Sequence, residues 1–437
     1  MKNEAKEMIR NKTTMKIKFL YLKNGFKELY RNPWKNIFII IFITLALLIL
    51  NNINYLYNLF TTWPIYYVVK TTITLAIIII ILMLFILLMI NLGRPFFSTT
   101  INNNLLKIGL VNHIDEIPIL LSKYKSKQKK HVRIFEFLNN GFNIMDFEKS
   151  REKIESILGV KILKIEYTQG QKIIIVYGIP LNISESQKIM YWKDDYLNCD
   201  DFTLCIGENP LEEITLNLNE IPHILLGGAS GSGKTELLKL ILMQCLRKQA
   251  KIIISDFKSG IDFSSDWQSK CDVITSKENL LIVLNDLAEE LEKRKQLLRE
   301  VNVSNISEYN SKEANLQRII FACDEIAELL DKTGVSKEEK EIIIQIENKL
   351  SLFARQGRAF GIHLVLATQR PDSNILNGQI RSNIGYRLCG RADSILSSII
   401  IDNTKASELI PSNAQGLFIN QDNIVFQAYY FEDEHLL

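Results

Sequence analysis

Gly228-Ala229-Ser230-Gly231-Ser232-Gly233-Lys234-Thr235 has the spacing G-x-x-x-x-G-K-[ST]. That arrangement lets backbone N–H groups of a glycine-rich turn converge on phosphate oxygens, with a lysine reaching the β/γ-phosphates and a hydroxyl reaching Mg2+. A second pair of candidates, Asp324 and Glu325, closes the apolar run Arg318-Ile319-Ile320-Phe321-Ala322-Cys323. In phosphate-loop chemistry the first carboxylate holds the metal and the second polarises the attacking water. Gln369 ends another apolar run, where an amide can sense the γ-phosphate or orient water. These residues call for ATP and Mg2+, with Lys234, Glu325 and Gln369 catalytic, Gly228–Thr235 binding nucleotide, and Thr235 and Asp324 on the metal.

Such residues work only if elements bring them together. His223-Ile224-Leu225-Leu226 reads as a strand entering the loop, and Glu236–Leu242 as the helix leaving it. A helix there aims its N-terminal N–H groups and partial positive charge at the phosphates. Lys251–Asp256, Arg318–Cys323 and Ile362–Ala367 read as further strands, and Asn279–Glu300 as a long amphipathic helix with Leu280, Leu284, Leu287, Leu291 and Leu298 on one stripe. Alternating strands and helices predict a doubly wound α/β domain with its ligand at the C-terminal edge of the strands.

Length and charge set the frame. The 437 residues exceed a single core and call for two or three domains. The net charge of +3 is unevenly spread: residues 1–35 hold ten Lys/Arg against three acids, so the remainder is net acidic. Overall charge therefore carries no argument for a nucleic-acid partner. The six cysteines, Cys199, Cys205, Cys245, Cys271, Cys323 and Cys389, have no C-x-x-C spacing and read as buried reduced thiols. The five histidines form no metal-ligand cluster.

No charged residue lies between Lys35 and Lys70, nor from Thr71 to Gly93. A membrane-spanning helix needs about 20 apolar residues. The second stretch, at about 72–90, meets this plainly, and the first, at about 37–57, meets it with Asn51, Asn52 and Asn54 near the headgroups, within a segment 36–93 that follows a basic arm, 1–35. Lysine and arginine crowd the arm and the stretch from Arg94 to Arg133, and only Lys70 lies between the spans. Both termini are therefore expected on the cytoplasmic side of the cell membrane. Trp34, Trp63, Tyr66 and Tyr67 suit interfacial positions, and the arm reads as the topogenic signal, within reach of anionic lipid. Residues 94–200 are expected to form a small α+β domain, with helical spacing over Phe147–Leu158 and a hairpin of Lys161–Tyr167 and Lys172–Tyr177 turning at Thr168-Gln169-Gly170. Residues 201–437 are expected to form the motor.

The stretch Gly357–Pro371, reading GRAFGIHLVLATQRP, resembles the signature of FtsK/SpoIIIE-type DNA translocases. So do Pro222-His223-Ile224-Leu225-Leu226-Gly227-Gly228, Asp256-Phe257-Lys258 and Glu308-Tyr309-Asn310, and the resemblance runs over roughly residues 201–430. It implies a RecA-like motor acting as a ring, usually a hexamer, that threads DNA through its pore. It also implies an arginine donated to each ATP site by the neighbouring subunit. The family often carries Asp-Ser-Arg where this chain reads Leu396-Ser397-Ser398-Ile399, leaving Arg391, Arg387 and Arg358 as candidate fingers. Two spans, a compact middle domain and a motor, with no C-terminal reader domain expected after it, look like the TcpA-like coupling proteins of conjugative elements. Such proteins join a relaxase–DNA complex to a membrane channel. A protein-translocating ATPase of the type VII secretion kind, a chromosome-segregation translocase and a scaffold with an inactive nucleotide site are the alternatives. Intact Lys234, Thr235, Asp324 and Glu325 argue against the last.

Overall fold

A computed structural model describes residues 2–57, 66–112, 116–126, 129, 131–168, 170–181, 189–197, 202–257, 262–313, 316–369, 378–433 and 436. Its contacts divide the chain into two units, Met1–Ser184 and Glu185–Leu437.

The first unit begins with a helix, Lys2–Arg31, a stretch expected only as a basic arm. A short turn at Pro33–Lys35 separates it from the helix Asn36–Tyr57, as expected where a proline removes a backbone donor. A third helix spans Tyr66–Gly93. Pro33–Asn52 and Lys70–Gly93 are long and apolar enough to cross a membrane, and almost none of their residues is buried. Phe42 and Phe85 bring these two helices into ring contact, with centroids 5.7 Å apart. Trp63 and the Tyr66 and Tyr67 side chains lie outside the described residues.

Four antiparallel strands follow: β1 (Ile119–Lys125), β2 (Arg133–Leu138), β3 (Val160–Tyr167) and β4 (Ile173–Pro180), in the order β1-β2-β4-β3. β3 and β4 flank the turn at Thr168–Gly170, of which Gln169 lies outside the described residues. Phe135 and Phe137, two residues apart on β2, point to the same side and meet Phe147 and Ile154 in one core. The expected helix over Phe147–Leu158 is two helices, Ile144–Lys149 and Arg151–Leu158, broken at Ser150. The first is started by polar side chains: Asn143 and Asp146 form a capping box at its N-terminus.

Helix Lys2–Arg31 docks within this unit. A Cβ on Gly25 would lie 2.3 Å from the Met89 carbonyl oxygen, and one on Gly93 would lie 1.9 Å from that of Tyr21. Only glycine at both positions permits this backbone approach. β1 carries an irregularity between Leu120 and Ser122. The Tyr21 hydroxyl donates to the Leu120 carbonyl at 2.9 Å, and Asn24 Nδ2 to the Leu121 carbonyl at 2.9 Å. The helix thus supplies donors where the bulged strand leaves carbonyls off the ladder.

The second unit is built on one large sheet. Its strands are β5 (Met190–Tyr191), β6 (Thr203–Glu208), β7 (Glu213–Asn217), β8 (His223–Gly227), β9 (Lys251–Ser255), β10 (Asp272–Ile274), β11 (Ile319–Cys323), β12 (Ile362–Thr368), β13 (Tyr386–Cys389), β14 (Leu417–Asn420) and β15 (Val425–Tyr430). The order is β10-β9-β11-β12-β8-β13-β14-β15-β6-β7, with β5 paired to β15. From β10 to β13 every pairing is parallel; from β13 to β7 every pairing is antiparallel.

The parallel half is buried on both faces, and strand alternation divides it between two cores. Ile224, Leu226, Ile320, Ala322, Val365 and Ala367 join one core with Leu237, Leu238 and Ile241 of the helix Lys234–Arg247. Leu225, Phe321, Leu364 and Leu366 join the other with Leu280, Leu284, Leu287 and Leu291 of the helix Lys277–Val301 and Ile346 and Leu350 of the helix Lys337–Gln356. Continuous apolar runs are what such two-sided burial requires. Cys205, Cys245, Cys271, Cys323 and Cys389 are buried free thiols; Cys199 lies outside the described residues.

At the N-terminal edge of the parallel strands sits a buried polar cluster. His363 Nδ1 donates to the Pro222 carbonyl at 3.0 Å, so its Nε2 accepts from Arg318 at 3.2 Å. The amide of Leu364 donates to His223 Nδ1 at 3.0 Å. Both imidazoles are held neutral: burial pushes His363 down to about 3, with the Arg318 guanidinium adding to it, and burial pushes His223 down to about 4. Between those values and the unfolded-state value near 6.5, the unfolded chain binds protons that the fold refuses. Stability contributed by the two neutral rings is therefore complete above about pH 6.5 and lost as pH falls towards 4. Thermal melts are expected to drop steeply between pH 6.5 and 4.5, and His363→Gln to flatten that slope. A flat profile in the parent protein would refute the burial argument.

Candidate nucleotide site

The loop Gly228–Thr235 joins β8 to the helix Lys234–Arg247. Gly231 and Gly233 have φ of +73° and +94°, a region that side chains resist, and Gly233 caps the helix. Gly228 is required for space: a Cβ there would stand 2.5 Å from Ser232 Oγ. Ser232 is itself buried, and its hydroxyl has no hydrogen-bond partner among the described residues. An orphaned hydroxyl in a glycine cradle at a helix N-terminus fits a phosphate-bearing ligand.

Strand order then brings the carboxylates in. β12 lies between β8 and β11, and its register sets Thr368 level with Gly227, and Leu366 level with Cys323. The C-terminal ends of three adjacent parallel strands therefore carry the loop, Thr368-Gln369 and Asp324-Glu325 to one edge. Lys234 Nζ donates to the Asp324 carbonyl at 2.6 Å and to its Oδ1 at 2.8 Å. Thr235 Oγ1 donates to the same Oδ1 at 3.0 Å. Lys234 and Asp324 are 3% and 1% exposed, so this is a desolvated ion pair. A hydroxyl and a carboxylate oxygen converging on one point is a hard-oxygen donor set that fits Mg2+.

Glu325 is held from the neighbouring strand. Thr368 Oγ1 donates to its Oε1 at 2.8 Å and the Gln369 backbone N–H to its Oε2 at 3.0 Å. Gln369 thus meets the carboxylate through its main chain. Thr368 was not singled out from the sequence. The only available signal was a hydroxyl beside Gln369 at a strand end, and its value depends on β12 being next to β11. Burial pushes the neighbouring Cys323 thiol up to about 12, which leaves it an inert filler beneath the carboxylates.

The three candidate arginines lie apart. Arg391 is engaged with its own loop: its guanidinium donates to the Ser230 carbonyl at 2.5 Å and the Ser412 carbonyl at 2.9 Å, and its own carbonyl accepts from the Ala229 amide at 2.7 Å. Arg387 pairs with Asp402 and donates to the Arg381 carbonyl at 2.8 Å. Arg358 is exposed on the turn Gly357–Phe360. Arg370, Pro371 and Lys258 of the resemblance motifs lie outside the described residues.

Residues 192–373 match the FtsK/SpoIIIE family. A DNA translocase FtsK from Caldanaerobacter subterraneus subsp. tengcongensis is 30% identical over 250 residues, which is 51% of this chain and 33% of that protein. A DNA translocase FtsK from Streptococcus pyogenes is 27% identical over 360 residues, 73% of this chain and 42% of that protein. The chain thus spans about a third to two fifths of the length of these curated relatives. Among solved structures, the pCW3 conjugation coupling protein TcpA, a monomer form with ATPγS, superposes with a TM-score of 0.58 at 33% identity, covering 78% of this chain and 97% of that one. A glycine cradle closed by carboxylates from the strand two places away, together with these likenesses, places the chain in the FtsK/SpoIIIE family of P-loop ATPases.

Proposed function

We infer that the protein is a membrane-anchored, ATP-driven DNA translocase that acts as the coupling protein of a conjugative transfer system. The observation that carries this reading is the breadth of the likeness to the conjugation coupling protein TcpA. It covers 78% of this chain, a larger share than the Glu185–Leu437 unit alone supplies. The working form is a homo-hexamer with both termini cytoplasmic, and its partners are DNA, a relaxase and channel proteins. The two apolar helices support the anchoring.

At the site, Lys234 would turn from Asp324 to the β/γ-phosphates of ATP, and Thr235 and Asp324 would hold Mg2+, which would supply positive charge beside the phosphates. Glu325 takes the proton of the attacking water, and Gln369 reads the γ-phosphate. One of Arg391, Arg387 and Arg358 serves the neighbouring subunit's site. Arg391 and Arg387 would each have to leave partners to do so, the Ser230 and Ser412 carbonyls for the first and Asp402 with the Arg381 carbonyl for the second, whereas Arg358 is exposed.

Thr368 is a positioning residue in this scheme. Thr368→Val keeps the shape and removes the donor to Glu325 Oε1. Loss of one hydrogen bond to a charged group predicts kcat lower by roughly tenfold. Nucleotide Kd is expected to stay within about twofold, since Thr368 aligns the base and not the phosphates. Equal losses in both quantities would assign Thr368 to the fold instead.

The test of the whole reading is ATP hydrolysis by the full chain in lipid nanodiscs, with and without DNA and with Lys234→Ala as control. DNA is expected to raise a Lys234-dependent rate several-fold. A Lys234-dependent rate indifferent to DNA, and raised by a secreted protein instead, would replace this reading with protein translocation.

A further inference from the structure

The outer face of the helix Lys2–Arg31 is unlike its docked face. Met15, Phe19, Leu22, Phe26 and Tyr30 recur at intervals of three and four residues. At 100° per residue they fall within an arc of about 80°. Tyr21, Asn24 and Gly25, which meet β1 and the helix Tyr66–Gly93, lie on the other side. The stripe stays open within its own unit: Met15 is 73% exposed, Phe19 66%, Phe26 56% and Tyr30 81%. Lys18 borders it on one side and Lys16, Lys23 and Lys27 on the other, all exposed.

Where this face sits is set by its neighbours. Gly25 packs on Met89 and Gly93, the last turns of the second apolar helix. Three residues after Arg31, Trp34 is 60% exposed in the turn that leads into the first apolar helix. Just past Gly93, Phe96 and Phe97 stand 82% and 66% exposed in an edge-to-face pair. Phe97 holds φ of +61° to do so, a conformation that a phenylalanine rarely adopts. Exposed aromatics thus gather where both apolar helices end, and lysines flank them. An apolar stripe with a basic border, held at the end of a membrane span, matches the boundary between acyl chains and anionic headgroups.

We propose that the Met15–Tyr30 face of the N-terminal helix lies in the lipid interface, its aromatic side chains among acyl-chain ends and Lys16, Lys18, Lys23 and Lys27 on anionic phosphate headgroups. This rests on the membrane-anchored reading above. It gives the arm a lasting structural task beyond setting orientation. Bound through Tyr21 and Asn24 to β1, the helix ties the α+β domain to the bilayer surface as well as to the spans.

The full chain is reconstituted in vesicles of phosphatidylcholine, with or without phosphatidylglycerol, carrying benzoylphenylalanine in place of Phe19, Phe26 or Leu48. Leu48 is 52% exposed on the first apolar helix and reports the span itself. Lipid adducts are expected at all three sites. At the Phe19 and Phe26 sites they should rise roughly fivefold with phosphatidylglycerol, and the combined Lys16→Gln, Lys18→Gln, Lys23→Gln and Lys27→Gln variant should remove that rise. Lipid adducts at Leu48 with protein adducts or none at Phe19 and Phe26 would overturn the proposal and leave the anchor intact; adducts to a second copy would assign the stripe to a subunit contact. No lipid adduct at Leu48 would overturn both.

Discussion

Lys234→Ala is expected to abolish turnover and, separately, to lower the melting temperature of the motor. The first effect follows from charge. Removing a preorganised donor from a site where phosphate charge develops costs on the order of 10²–10³ in kcat. The second follows from the buried ion pair. Lys234 Nζ binds both the carbonyl and the carboxylate of Asp324, and the pair has almost no access to water. Deleting one partner leaves a buried carboxylate uncompensated, a loss of about 3–5 kcal/mol where no water or proton replaces the lysine. The two effects separate in a double variant. Lys234→Ala with Asp324→Asn removes the stranded charge, so thermal stability should recover most of its loss and activity none of it. Recovery of neither would mean that the ion pair is not what holds the strand ends together.

Glu325→Gln carries the other large effect, in the opposite pattern. An amide cannot take a proton from water, so kcat is expected to fall by about 10²–10⁴, the usual span for a positioned general base. Nucleotide affinity should change little, because Glu325 binds Thr368 and the Gln369 amide and makes no side-chain hydrogen bond to the loop among the described residues. Glutamine can still offer one oxygen to Thr368, but its NH2 group faces the Gln369 N–H, and donor meets donor. A modest destabilisation of about 1 kcal/mol is expected from that lost bond. Binding would be measured with ATPγS by calorimetry and turnover by phosphate release. Turnover within a few-fold of the parent would remove Glu325 from the role of base.

The residues of the candidate site were largely legible before any tertiary information. The loop Gly228–Thr235 announces itself because phosphate chemistry demands glycines and Lys-Thr at fixed spacing along the chain. The long leucine stripe from Leu280 to Leu298 is legible because one-sided burial imposes a period of 3.6, and the strand runs before Asp324 and Gln369 because burial on both faces leaves a continuous apolar run. The antiparallel half, β13 to β7, was not legible. Pairings such as Gln427 with Glu208 join residues far apart in sequence, and no local pattern records them. The Arg318–His363–His223 cluster was hidden likewise, since a histidine within a strand looks alike whether it meets water or an arginine.

The candidate fingers show the boundary most clearly. Arg391, Arg387 and Arg358 are equivalent as sequence, three cations downstream of a signature. The fold separates them, because β13 runs beside β8 and delivers Arg391 to the Ser230 carbonyl, leaves Arg387 on Asp402 and leaves Arg358 at the surface. The N-terminal arm behaves in the same way. Its ten basic residues are plain in the sequence, but its docking through Gly25 and Asn24 depends on Gly93 and a bulged β1 arriving at the same place. What the sequence alone determined is a set of local patterns: the spacing of a phosphate loop, a hydroxyl at its end, two carboxylates closing an apolar strand, and two apolar helices, each encoded over a few contiguous turns. What only the tertiary structure decided is which of these meet. Strand order sets β12 between the loop and the carboxylates, and order in a parallel sheet comes from long-range packing that no single segment specifies.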